Sequence, residues 1–275
     1  MNPNTTRSAI RFWGAAFAAL LTFAATRPAA AHDFWIEPVA GPLAAPGASV
    51  PLRLRVGQDW AGDAELNNPE RIDRFVVAGP SGERAVGGIP GDDPAGTFVL
   101  PGPGLYTALY QSRFSQTRFD AFAKFEDYLK SAGLEHALPL ARFRAGGGGT
   151  IVEDFMRCAK TLVAGPGAAQ AAADHRFGCP LELVASTNPL ASGQLELRLL
   201  WKGKPLEGAL VALSNRAAPQ ARLQARTDRD GRVAFHLDRP GAWMATAVQI
   251  APAPRFARAD WQSWWASLTF ELPAR

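Results

Sequence analysis

Cysteine and histidine are scarce in this 275-residue chain, with two and four copies, and no apolar run reaches the roughly 20 residues that a membrane-spanning helix needs. No G-x-G-x-x-G or Walker-type loop is present, and the glycines from Gly146 to Gly149 lack both the lysine and the strand-to-helix setting of a phosphate cradle. Neither a G-x-S-x-G elbow nor an H-E-x-x-H pair occurs, and nothing marks any pair of carboxylates as catalytic. Acid is absent from residues 1–31, which carry three arginines, an apolar stretch from Phe12 to Ala25 and the small-residue end Ala29-Ala30-Ala31. That pattern is a secretory signal peptide, so the expected mature chain starts at His32, has no membrane span and is periplasmic. Removing the leader also removes most of the excess charge: 29 basic residues less three leave 26 against 25 acids, a net charge of about +1. A nucleic-acid partner, which needs a dense basic face, is not expected.

What is present reads as β-structure. Between His32 and Tyr110, short alternating or apolar runs (Val50–Val56, Arg74–Ala78, Gly96–Leu100, Gly104–Tyr110) are separated by proline and glycine, which predicts strands of an antiparallel sandwich. Phe119, Phe122, Phe125 and Leu129 recur at roughly helical spacing after Thr117-Arg-Phe-Asp120, a fit to a capping box, and predict an inserted helix closed at Gly133. Thr150–Val163 is expected to return as a strand, Ala164–Ala173 to form an exposed loop, and Cys179–Val184 to close the first unit. The runs after Asn188-Pro189 form a second strand-turn series. The expected fold is all-β, with two β-sandwich (Ig-like) domains at 32–188 and 189–275, the first carrying the helix. Residues 190–275 resemble the small prealbumin-like or carboxypeptidase-regulatory-like Ig-type modules, a resemblance that implies fold and not function.

The residues with chemistry to offer are few. In an oxidising compartment, Cys158 and Cys179 are most simply a disulfide, with thiolate ligation of a soft metal as the lesser alternative. At a mature N-terminus, His32 would place a free α-amine, of pKa about 8, beside its own imidazole. Two nitrogens on one residue suit Cu(II), Ni(II) or Co(II). A second ligand would complete the site. His236, on a strand alternating with Val233, Phe235 and Leu237, and His175, in a polar loop, are the candidates, although for His175 and for His136 a plain surface role is the simpler account.

The leader followed by His32-Asp-Phe-Trp-Ile36, the helix with Tyr128-Leu129, Arg157-Cys-Ala-Lys-Thr-Leu162, Pro180-Leu-Glu-Leu-Val184, Asp238-Arg-Pro-Gly-Ala-Trp243 and Trp264-Trp-Ala-Ser-Leu-Thr-Phe270 together resemble one family. It is the bacterial domain-of-unknown-function family that includes periplasmic components of cobalt/nickel ABC-type uptake systems. The resemblance implies a non-catalytic metal-binding accessory, holding nickel or cobalt (or copper) at His32 and acting beside the membrane components of a metal uptake transporter. In that family pattern a histidine often follows the P-G-x-W corner, where this chain has Gln249. The competing readings are a structural or interaction β-sandwich of the cell envelope without metal, and a copper-binding protein or histidine-brace copper enzyme.

Overall fold

A computed structural model describes residue 1 and residues 33–39, 43–145, 149–171 and 174–274; His32 and residues 2–31 of the expected leader lie outside the described residues. In chain order the strands are β1 (Asp33–Pro38), β2 (Ser49–Gln58), β3 (Ala61–Glu65), β4 (Ile72–Gly79), β5 (Gly82–Ala85), β6 (Gly96–Val99), β7 (Leu105–Ser112), β8 (Ser115–Phe119) and β9 (Ile151–Ala164). After them come β10 (Leu181–Ala185), β11 (Gln194–Trp201), β12 (Lys204–Pro205), β13 (Leu210–Asn215), β14 (Ala218–Arg226), β15 (Arg232–His236), β16 (Gly241–Pro252) and β17 (Trp261–Leu272). Helices α1 (Phe122–Ser131) and α2 (Leu138–Ala145) lie between β8 and β9, and the one-turn α3 (Pro189–Ser192) precedes β11.

The fold is all-β, and its frame is a nine-stranded sheet in the order β14-β13-β16-β17-β9-β7-β4-β5, with β8 added beside β9. Two four-stranded sheets cover it. One holds β1, β2, β3 and β6, and the other β10, β11, β12 and β15. Side-chain parity shows that they lie on opposite faces. Tyr106, Ala108, Ala159 and Val163 join a core with Phe34, Ile36, Val50, Leu52 and Leu54. Leu105 and Leu162, one residue out of step, join another with Leu183, Leu195, Leu197, Trp243 and Leu268. Strand β9 is buried on both faces, as its nearly unbroken apolar run Cys158–Ala164 requires.

The sheet runs through both expected units, since β17 pairs in parallel with β9 over Trp261–Thr269 and antiparallel with β16. Its hydroxyls also fasten the outer sheet: Ser267 Oγ donates to the Phe34 carbonyl at 2.6 Å and Thr269 Oγ1 to the Ile36 carbonyl at 2.7 Å. Strand β10, expected to close the first unit, instead pairs with β11 in the second outer sheet. Apolar alternation identifies a strand without naming its neighbour. The expected capping box is also displaced. Thr117 sits in β8, and α1 starts after Ala121 with no side-chain cap. Packing makes up for it, as Phe125 and Leu129 are fully buried against Trp261, Val248 and Ile250. In the stretch expected to be an exposed loop, Ala168 is buried in the core between the sheets.

Candidate functional site

Asp33, the first residue of β1, is buried, and its place is set by pairing with Gly57 at the end of β2. The next two residues of the β2–β3 hairpin, Asp59 and Trp60, have φ of 53° and 65°. Both central positions of such a primed turn need positive φ, which an aspartate tolerates and a tryptophan does not favour. Contacts from β13 and β14 hold the strained turn in place. Trp60 donates its indole N–H to Ser214 Oγ at 3.0 Å, meets Trp35 edge-on at 5.8 Å and lies under the Arg216 guanidinium at 4.8 Å. Asp59 accepts from Gln220 at 3.0 Å and from Arg222 Nε at 3.2 Å.

Arg222 also donates to Asp33 at 2.6 Å, so one guanidinium bridges two carboxylates. Burial works against its charge, but Asp33 and Asp59 outweigh that and hold its pKa above the usual value. Beside this bridge a cavity of about 100 Å³ is lined by Asp33, Gln58, Arg222, Gln224, Thr246 and Trp265, with the end of α1 as one wall. Behind Asp33, Arg157 is wedged between the rings of Phe34 (4.8 Å) and Phe155 (4.9 Å), and its burial depresses its pKa.

Trp265 ties the cavity to a second polar feature. Its indole N–H donates to Ser263 Oγ at 2.9 Å, its ring stacks on Tyr128 of α1 at 5.8 Å, and Tyr128 donates to Glu153 Oε1 at 3.0 Å. Glu153 is 2% exposed, and among the described residues it is met by the Tyr128 and Ser263 hydroxyls and by the negative charge of Asp154 rather than by a cation. Desolvation therefore pushes its carboxyl up to about 7.

Three sequence candidates fall within the described residues, and none of them reaches the cavity. His236 is exposed on β15, opposite Gln194, in the outer sheet on the other face of the central one. His175 packs its ring against Phe177 at 4.7 Å, and its backbone serves the buried Lys160. Gln249 is not among the residues that line the cavity, whereas its strand neighbours Thr246, Ala247 and Val248 are. Among the described residues, no group of three or more His, Cys, Asp or Glu side chains could hold a metal ion. Cys158 and Cys179 are bridged.

The groups that sequence reasoning missed are Arg222, the Asp59-Trp60 turn and Glu153. Arg222 meets Asp33 across a separation of 189 residues, which no local pattern signals. Glu153 stands beside a second acid, Asp154, in the start of β9, and strand parity alone decides which of the two is buried.

The sequence matches the family described as Domain of unknown function (DUF4198) over residues 29–251. The chain belongs to that family. The matched segment of this DUF4198 protein takes in β1 to β15 and most of β16, and stops short of β17. Among solved structures, the D0-D1 domain of intimin aligns over 86% of this chain and 97% of its own, at 10% identity and a TM-score of 0.18, a likeness too slight to bear on fold or function. No curated protein matches.

Proposed function

We propose that this DUF4198 protein is a periplasmic, non-catalytic metal-binding accessory of a nickel or cobalt uptake system, with His32 of the processed chain as the principal ligand. The observation that supports this reading most is the anchoring of Asp33. The residue that follows His32 in the chain is buried and ion-paired, and it lines a polar cavity. A terminus tied to such a point loses little freedom on binding, which favours chelation over a free histidine tail.

The donor set fits on one condition. Gln58, Gln224, Thr246 and Asp33 offer amide, hydroxyl and carboxylate oxygens, which alone suit hard cations. A borderline ion such as Ni(II) or Co(II) therefore requires the imidazole and α-amine of His32, with the Gln58 and Gln224 carbonyl oxygens as supplementary ligands. Arg222 places a positive charge at this site, and Asp33 and Asp59 neutralise it. Because neither His236 nor His175 lines the cavity, single-residue chelation is favoured over a two-histidine brace.

The test is calorimetric titration of Ni(II) and Co(II) into correctly processed protein, its N-terminus verified by mass spectrometry. Stoichiometric binding that is lost in His32→Ala, and lost when one extra residue precedes His32, is the expected result. Binding unchanged in both variants overturns His32 as the ligand, and no binding by the processed protein overturns the reading in favour of a metal-free structural sandwich.

A further inference from the structure

We infer that the end of the molecule formed by α2 and the β16–β17 loop docks on an anionic lipid surface, an inference independent of the metal reading. Phe143, in the last turn of α2, is 83% exposed, and Phe256, in the loop, is 95% exposed. Each ring leaves most of its apolar area in water, and what makes the pair informative is the basic setting that the two rings share.

The two segments are held together at that end. Arg144 of α2 donates to the Asp260 carbonyl at 3.1 Å and lies over Trp261 at 5.5 Å, while Asp260 takes the Val152 N–H on its carboxylate at 2.8 Å. The loop itself is closed by Ala253 N–H to the Asp260 carbonyl at 3.0 Å and by Ala257 N–H to the Pro254 carbonyl at 2.8 Å. Phe256 therefore projects from a fixed turn.

Basic groups outnumber acids around the two rings. Arg255 and Arg258 flank Phe256 and are exposed, and Arg142 and Arg144 flank Phe143. The nearby acids are already engaged, Glu126 with Lys130 and Arg142, and Asp260 with the Val152 N–H. In a mature chain of nearly balanced charge, this end is locally basic. Single aromatic wedges set among guanidinium groups suit the lipid interface, where the ring enters the acyl boundary and arginines reach the phosphates. A protein partner would call for a broad face burying about 800 Å² per side, which two separate projections do not offer.

The experiment is co-sedimentation of the processed, metal-free protein with sucrose-loaded vesicles of phosphatidylcholine, with and without phosphatidylglycerol as about one third of the lipid. The protein is expected to pellet with the anionic vesicles only, and to be released by added salt. Phe143→Ser with Phe256→Ser, and separately Arg255→Glu with Arg258→Glu, should each weaken binding about tenfold or more, with unchanged melting temperatures. Three results would overturn the inference: no binding to anionic vesicles, equal binding by the variants, or concentration-dependent self-association that the phenylalanine variant abolishes without any vesicle binding.

Discussion

Glu153 and Lys160 share strand β9, lie on opposite faces of the sheet and are both almost fully buried, at 2% and 1% exposure. Their surroundings differ in kind. Lys160 is ion-paired with Asp174, 3.4 Å from Glu182, and donates to the His175 and Leu183 carbonyls at 2.8 and 3.0 Å. Glu182 in turn takes the N–H groups of Phe177, Gly178 and Cys179, and Asp174 those of Ala185 and the Thr107 hydroxyl. Burial raises the Asp174 pKa, and Lys160 and these hydrogen bonds oppose that rise. Lys160, Asp174 and Glu182 each have partners, and the disulfide to Cys179 fixes the chain between Asp174 and β10 that supplies them. Glu153 meets hydroxyls instead, so its carboxyl holds its proton well above the usual carboxylate range, up to about 7. A fold can carry a buried ionisable group either by completing an ionic network or by leaving the group free to give up its charge.

The contrast is broken most directly by Lys160→Met, which strands two buried carboxylates. A loss of about 3–5 kcal/mol in urea unfolding is expected, and the double variant with Asp174→Leu should lose less, because it removes a stranded charge. A loss below about 1 kcal/mol would show that the network is not what stabilises this face. Next in size, Cys158→Ala with Cys179→Ala opens a loop of sequence separation 21 and should lower stability by about 3 kcal/mol, measured in the same way.

The smallest effect concerns the other face, and it depends on pH. The folded Glu153 pKa of about 7 lies above its ordinary 4.5, so the folded state holds the proton more tightly than the unfolded one. Its contribution to stability is full below about 4.5, falls as pH rises and is gone above about 7, a change on the order of 3 kcal/mol across the window. Glu153→Gln, which keeps the shape and stays neutral, should flatten the fall between pH 5 and 8 and leave the low-pH stability close to that of the parent. A pH profile with the same slope in Glu153→Gln would assign the titration to another group.

Much of the fold was legible because burial imposes period-two alternation, as in Val50, Leu52 and Leu54, and because glycine and proline mark the turns. Sheet membership was not, since nothing in Leu181–Ala185 tells whether its edge meets β9 or β11. The same limit applied to the site. His32 stood out through the leader, but its neighbour's cavity is assembled from β1, β2, β13, β14, β16, β17 and the end of α1, which only the folded chain brings together. Lys160 inside an apolar run was a visible anomaly, whereas its counter-ions came from a patternless loop (Asp174) and from β10 (Glu182), which no local signal ties to it.

The parallel joint of β17 with β9 has a consequence for how the chain reaches this state. Trp261 pairs with Glu153 inside the central sheet, and Ser267 fastens the outer strand β1 through a carbonyl 233 residues earlier, so the contacts that β17 makes span long stretches of sequence. Until β17 is placed, β9 and β16 each present an open edge, two half-sheets ready to pair with any other extended chain. Assembly of this frame is therefore slow by topology, and its incomplete intermediates are the species most in need of a chaperone.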